Sequence, residues 1–207
     1  MEGKFGTIRL RPWEADGLAT ALGRRVSCMQ ADSSLEPRSL LINGTVGVGK
    51  TSVAESVGDL LADAGIPHAV IDLDWLRQSW PTPSGDRFNF GMMLRNLRSM
   101  AGNYLAAGAA RLVLAGVIED LDERKLCGDA VGTELSVCRL QVDLPVNHQR
   151  LMRRHENEPE ALRWHLARAS ELAGILDQAA VDDFSVDATT RSVGEVAADV
   201  IKKVGWL

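Results

Sequence analysis

The 207-residue sequence predicts an α/β fold: a three-layer sandwich with a five-stranded parallel sheet between helices and an arginine-bearing helical lid. Three observations lead there. Short apolar runs alternate with helix-period stretches from residue 39 to the end of the chain. The first run leads directly into Gly44-Thr45-Val46-Gly47-Val48-Gly49-Lys50-Thr51, which fits G-x-x-x-x-G-K-[ST]. An arginine-rich stretch, residues 150–168, follows the fourth run.

Residues 40–43 are the first strand, with Leu40, Leu41 and Ile42 as its apolar body. The glycines that follow let the backbone curl so that its N–H groups converge on phosphate oxygens. A helix over 50–64 comes next, apolar at Val53, Ala54, Val57, Leu60, Leu61 and Ala64 and stopped by Gly65 and Pro67. Its N-terminus adds affinity for anions. Ala69, Val70 and Ile71 form the second strand, which ends at Asp72. Residues 80–89 are a Pro/Gly/Ser loop, and Met93, Leu97, Met100, Ala101, Tyr104 and Leu105 share a face of a long helix ended by Gly108. The third strand lies in 111–118, a charged helix in 119–125, and the fourth strand in 136–144. Leu162, His165, Leu166, Ala169, Leu172, Ala173 and Leu176 make a helical stripe. Residues 183–187 are the fifth strand, and Val193, Val196, Ala197, Val200, Ile201 and Val204 mark the last helix.

Two segments are expected: an N-terminal extension, 1–38, partly disordered, and a nucleotide-binding domain, 39–207. Within the extension, residues 7–13 suggest a short strand, 16–25 a short helix and 31–38 a linker. Residues 8–16 resemble the first strand and turn of GNAT-type acetyltransferases, but no R/Q-x-x-G-x-G/A loop occurs, so the segment reads as an appendage. The net charge of −5 argues against a nucleic-acid binder, whose affinity comes from neutralising phosphates. No apolar run is long enough to span a membrane, and no signal-peptide core is visible, so a cytoplasmic protein without membrane partners is expected. Cys28, Cys127 and Cys138 are scattered, and His68, His148, His155 and His165 lack ligand spacing; neither a zinc site nor a disulfide framework is indicated.

Four constellations carry chemistry. Residues Gly44, Thr45, Val46, Gly47, Val48, Gly49, Lys50, Thr51 and Ser52 form the phosphate-binding set. Lys50 reaches the β- and γ-phosphates, and the Thr51 hydroxyl ligates Mg²⁺. Asp72-Leu73-Asp74-Trp75-Leu76-Arg77 begins at the carboxyl end of the second strand, where open α/β sheets bind ligands. One carboxylate there acts on Mg²⁺, and the other orients or deprotonates an attacking hydroxyl; the plainer alternative is that one of them caps the next helix. Arg77 binds an anionic part of an acceptor or is a solvated surface arginine. Arg150 and Arg154 lie four residues apart on one helical face, suited to clamp a nucleotide, against the alternative of a charge-balanced surface. Asp187 and Thr189 open the loop after the last strand, which lines a base pocket or serves the next helix cap through Thr190 or Ser192. The third strand holds no aspartate in the Walker B position; Glu119-Asp120 stands just beyond it and is ambiguous. Trp75, Trp80, Phe88 and Phe90 are suited to stack on a ring or to pack in the core.

These motifs resemble the nucleoside-kinase-like group of small P-loop kinases, which includes adenylylsulfate kinase, gluconate kinase, shikimate kinase and chloramphenicol phosphotransferase. The resemblance spans residues 39–207. Asp72-Leu73-Asp74-Trp75-Leu76-Arg77 is similar to the D-G-D-N-x-R of adenylylsulfate kinase at both aspartates and the arginine. Leu73 and Trp75 depart from it, making a bulkier and more apolar pocket. The resemblance implies Mg-ATP as donor, Asp74 as base for an acceptor hydroxyl, Arg150 near adenine and Arg154 near the phosphates. It implies Mg²⁺ held by Thr51 and Asp72, with Asp72, Asp74, Trp75 and Arg77 on the acceptor. Lys50, Asp74 and Arg154 are then the catalytic set. The expected activity is transfer of the γ-phosphoryl of ATP to a hydroxyl of a small molecule by a monomer or homodimer. The alternative is a nucleotide-dependent switch or slow NTPase. A GTPase is disfavoured, since no N-K-x-D motif occurs and Asp129-Ala130-Val131-Gly132 lies too far beyond the third strand.

Overall fold

The computed structural model describes residues 36–82 and 84–207. The strand, helix and acetyltransferase-like opening expected within 1–35 lie outside the described residues. The elements are β1 (Arg38–Asn43), α1 (Lys50–Asp63), β2 (His68–Asp72), α2 (Leu73–Leu76), α3 (Phe90–Ala106), β3 (Arg111–Ala115), α4 (Leu121–Val131), β4 (Glu134–Gln141), α5 (Leu144–Arg154), α6 (Pro159–Ala179), β5 (Phe184–Asp187) and α7 (Val193–Lys203). The five strands run in the order β2-β3-β1-β4-β5, and every neighbouring pair is parallel. The α/β sandwich expected from the alternating pattern is therefore present, with the loop-bearing strand β1 at its centre.

Period-two alternation explains the layers. Leu40 and Ile42 of β1 face one side with Val113, Ala115, Cys138 and Leu140, and pack on α1 and α7. Leu41 faces the other side with Leu112, Leu114 and Val137, and packs on α3, α4 and Leu176 of α6. A sheet covered on both faces needs apolar residues at successive positions, which is why β1 and β3 read as unbroken apolar runs. Cys138 is a fully buried core residue, as expected, and burial pushes the Cys127 and Cys138 thiols up to about 12.

Several boundaries differ from expectation. β1 begins at Arg38, inside the expected linker. β3 ends at Ala115, not at residue 118. Gly116 follows, where a Cβ would come within 2.6 Å of the Leu73 side chain. The Gly116 N–H still donates to Ile42, but the chain then leaves the sheet. Asn43, fully buried at the end of β1, captures it: its Nδ2 donates to the Ile118 carbonyl at 3.1 Å, and its Oδ1 accepts the Ile118 N–H at 3.3 Å. The charged helix starts at Leu121 with Asp120 as its N-cap and runs to Val131, longer than the expected 119–125. β4 covers Glu134–Gln141 and is shifted two or three residues toward the N-terminus of the expected strand. A proline at the second position of α5 fits the start of that helix, which the alternation placed inside the strand.

Candidate active site

The loop after β1 is held open by its glycines and by α5. Gly47 and Gly49 adopt left-handed φ values of 87° and 99°. At Gly47 a Cβ would meet Asn147 Oδ1 and Leu151 Cδ2, each at 2.7 Å, so α5 lies directly against the loop. Asn147 Nδ2 donates to the Thr45 hydroxyl at 3.2 Å and to the Val46 carbonyl at 2.9 Å. Val48 points down into the core, and the Gly44 N–H donates to Asn43 Oδ1 at 2.9 Å. Thr45 and Val48 therefore anchor the loop, while its backbone faces outward. No side chain caps the N-terminus of α1, and no acidic residue sits in its first turn. A helix start leaves unpaired N–H groups and a partial positive charge, and these suit phosphate.

Lys50 bends back over the loop, donating to the carbonyls of Gly44 at 3.1 Å and Thr45 at 2.9 Å. Burial lowers its pKa from 10.5 to about 8; Asp74 and Asp72 oppose that fall, and Arg154 and Arg77 add to it. The Thr51 hydroxyl donates to Asp72 Oδ2 at 2.8 Å, while Asp72 Oδ1 accepts the Asp74 N–H at 2.8 Å. Asp72 thus caps α2 and touches the proposed metal-binding hydroxyl at once. Arg77 Nε lies 3.5 Å from Asp74 Oδ1. Its Nε and Nη2 are buried without a hydrogen-bond partner, among the described residues.

Lys50, Thr51, Ser52, Asp72, Asp74, Trp75, Arg77, Arg150 and Arg154 line one cleft of 1170 Å³, with Val46, Gly47 and Gly49. Arg150 Nη2 donates to the carbonyls of Ala188 at 2.8 Å and Thr189 at 3.1 Å, joining α5 to the loop after β5. The Asp187 and Thr189 side chains do not enter this cleft; they border a separate depression with Thr45. Asp187 Oδ1 accepts the Thr189 N–H at 2.9 Å and its hydroxyl at 2.6 Å, bonds that hold its pKa below the ordinary carboxylate value. That loop thus meets the cleft through carbonyls bonded to Arg150. Ser192, not Thr190, caps α7, in a capping box with Glu195.

Other cleft residues carried no motif. Asn147, buried behind the cleft one helical turn before Arg150, braces the loop, and nothing in the sequence marked its partner there. Trp164, His165, Arg168 and Leu172 reach the cleft from α6, His165 and Leu172 from the helical stripe itself. His165 stacks on His155 at a 4.2 Å centroid distance, and Trp164 stands edge-on to it. Trp75 and Trp164 are exposed at the rim, 68% and 53%, while Trp80 is almost fully exposed and does not line the cleft. Phe88 and Asn89 share left-handed φ values of 55° and 54°, costly for such side chains and a feature that clusters at functional sites. Asn89 Nδ2 donates to the Arg77 carbonyl at 2.7 Å, fixing the end of α2. Glu119 is paired with Arg168, and Asp120 is an N-cap, so neither presents a free Walker B carboxylate.

No protein-family model matches the chain. The bifunctional enzyme CysN/CysC of Rhodopirellula baltica is 27% identical over 172 residues, covering 81% of this chain and 26% of that enzyme; the chain spans about a quarter of the length of this curated relative. Among solved structures, the tunicamycin resistance protein of Deinococcus radiodurans superposes with a TM-score of 0.60 at 21% identity, covering 82% of this chain and 96% of the other. Shikimate kinase from Acinetobacter baumannii, in complex with shikimate, gives 0.53 at 18%, covering 82% and 93%. The APS kinase CysC of Mycobacterium tuberculosis, in complex with AMPPNP and APS, gives 0.51 at 24%, covering 82% and 98%. The fold of this chain is that shared by these P-loop kinases.

Proposed function

We propose that this chain, built on the fold of P-loop small-molecule kinases, transfers the γ-phosphoryl group of ATP to a hydroxyl of a small molecule. The observation that carries the reading is the convergence of an uncapped helix start, two aspartates at the tip of β2 and two arginines of α5 in one cleft. The loop amides and Lys50 bind the β- and γ-phosphates. Arg150, already bonded to the loop after β5, flanks the base, and Arg154 neutralises charge that develops on the transferring group.

The donors present suit a divalent ion: a hydroxyl and a carboxylate oxygen in contact at 2.8 Å beside the phosphate cradle. Thr51 and Asp72 hold Mg²⁺, which supplies charge neutralisation between the phosphates when bound. Asp74 takes the proton of the acceptor hydroxyl as its oxygen attacks. Arg77 pairs with Asp74 and offers an anionic part of the acceptor its N–H groups that lack a hydrogen-bond partner among the described residues. Trp75 and Trp164 offer exposed rings at the rim of the cleft. Catalysis is then positioning and electrostatics.

An Asp74→Asn variant tests the assignment. ATP binding by calorimetry is expected to stay near wild type, while acceptor-dependent ADP release in a metabolite screen is expected to fall by 10²–10⁴-fold, roughly the contribution of a general base. Transfer at a near wild-type rate removes Asp74 as base. ADP release that no acceptor raises favours the slow-NTPase alternative.

A further inference from the structure

Glu119 stands where a carboxylate would endanger a kinase. It directly follows Ile118, which both hydrogen bonds of Asn43 tie to the entry of the phosphate loop. The Asn43 Oδ1 that accepts the Ile118 N–H also accepts the Gly44 N–H. Glu119 is therefore fixed beside the loop, and it lines the same cleft as Lys50 and Thr51. A carboxylate so placed is chemically suited to take a proton from water while the water oxygen attacks the γ-phosphorus. The bridging P–O bond then breaks, its electrons leave with ADP, and inorganic phosphate is released. That reaction consumes donor without product.

Arg168 answers this carboxylate. It reaches across from α6 and closes an ion pair with Glu119. It is 8% exposed, its Nη1 lies 2.6 Å from Glu171, and its guanidinium sits over the Phe88 ring at 5.3 Å. Set between Glu119, Glu171 and the Phe88 ring, the guanidinium presents its Nη2 to Glu119. A carboxylate that accepts from a guanidinium has fewer lone pairs to offer water. We propose that Arg168 is a positioning residue that neutralises and orients Glu119, and so suppresses hydrolysis of ATP when no acceptor is bound. This rests on the kinase reading above.

The test uses the whole chain with Arg168→Met, the milder Arg168→Gln, Glu119→Gln, and each Arg168 variant combined with Glu119→Gln. Acceptor-free ADP release is expected to rise about tenfold or more in Arg168→Met, within the range of a freed general base. Adding Glu119→Gln is expected to abolish that gain. A purely structural arginine gives the opposite pattern, because its loss lowers turnover and a second loss does not cancel the first. A readout independent of turnover is denaturant unfolding of the nucleotide-free proteins. The double variant is expected to lose less stability than the sum of the singles. If Arg168→Met does not fold, Arg168→Gln decides, with the same expected sign. A folded, ATP-binding Arg168 variant that hydrolyses ATP at the wild-type rate overturns the proposal, as does a gain that survives Glu119→Gln. Failure of the wild type to bind ATP overturns the kinase reading and this proposal with it. That case is distinguishable, because the unfolding cycle still reports the Arg168–Glu119 pair.

Discussion

Lys50 sets the pH behaviour of the cleft. Its pKa is depressed to about 8 by burial, so in the free protein it is mostly charged at pH 7 and mostly neutral at pH 9. Bound phosphate favours the charged form and restores the proton. ATP affinity is therefore expected to fall about tenfold from pH 7 to pH 9, since one pKa unit corresponds to about 1.4 kcal/mol. Calorimetry in buffers of different ionisation enthalpy is expected to show proton uptake on binding near pH 8.5. Gly47 is the other sensitive position. Its φ of 87° and the Asn147 and Leu151 atoms 2.7 Å from a would-be Cβ leave no room for Gly47→Ala. That change is expected to cost about 1–3 kcal/mol in stability and to weaken ATP binding, by denaturant titration and calorimetry. The glycine spacing was legible in the sequence because only glycine meets that geometry. Asn147, Arg168 and His165 were not legible, because nothing local marks a polar residue whose partner is a hundred or fifty positions away.

At the scale of elements, strand and helix identities from β1 to α7 followed from periodicity, since a sheet buried on both faces permits only apolar runs. The ends did not follow. β3 stops at Ala115 because Asn43 draws the next residues aside, a long-range bond that no hydropathy pattern carries. The stripe of α6 was read as one helical face; its Leu172 and Leu176 are buried, and its His165 and Leu172 also line the cleft beside Trp164 and Arg168. Helix caps are testable separately from the site. Ser192→Ala removes the capping box of α7 and is expected to cost about 1 kcal/mol in unfolding, with ATP affinity unchanged.

At the scale of the molecule, a chain of net charge −5 gathers Lys50, Arg77, Arg150 and Arg154 around one cleft. Asp72, Asp74, Asp86, Glu119, Asp120 and Glu123 line the same cleft, so these cations are offset by carboxylates and act as local partners rather than as a field of one sign. Ligand that binds only the folded state is expected to raise stability by about 2.7 kcal/mol at a hundredfold excess over its Kd, seen as a rise in Tm with ATP. No helix among the described residues is long and apolar enough to cross a membrane. The central place of β1 also sets a timetable. Arg38 pairs with Arg111 on one side and Glu134 on the other, so the strand that launches the phosphate loop, the first among the described residues, gains its second neighbour only with β4. On a ribosome, that loop has no shape until β3 has emerged, and no brace until Asn147 of α5 follows. On the proposed function, nucleotide is expected to recognise a chain extended at least through α5 and no earlier intermediate.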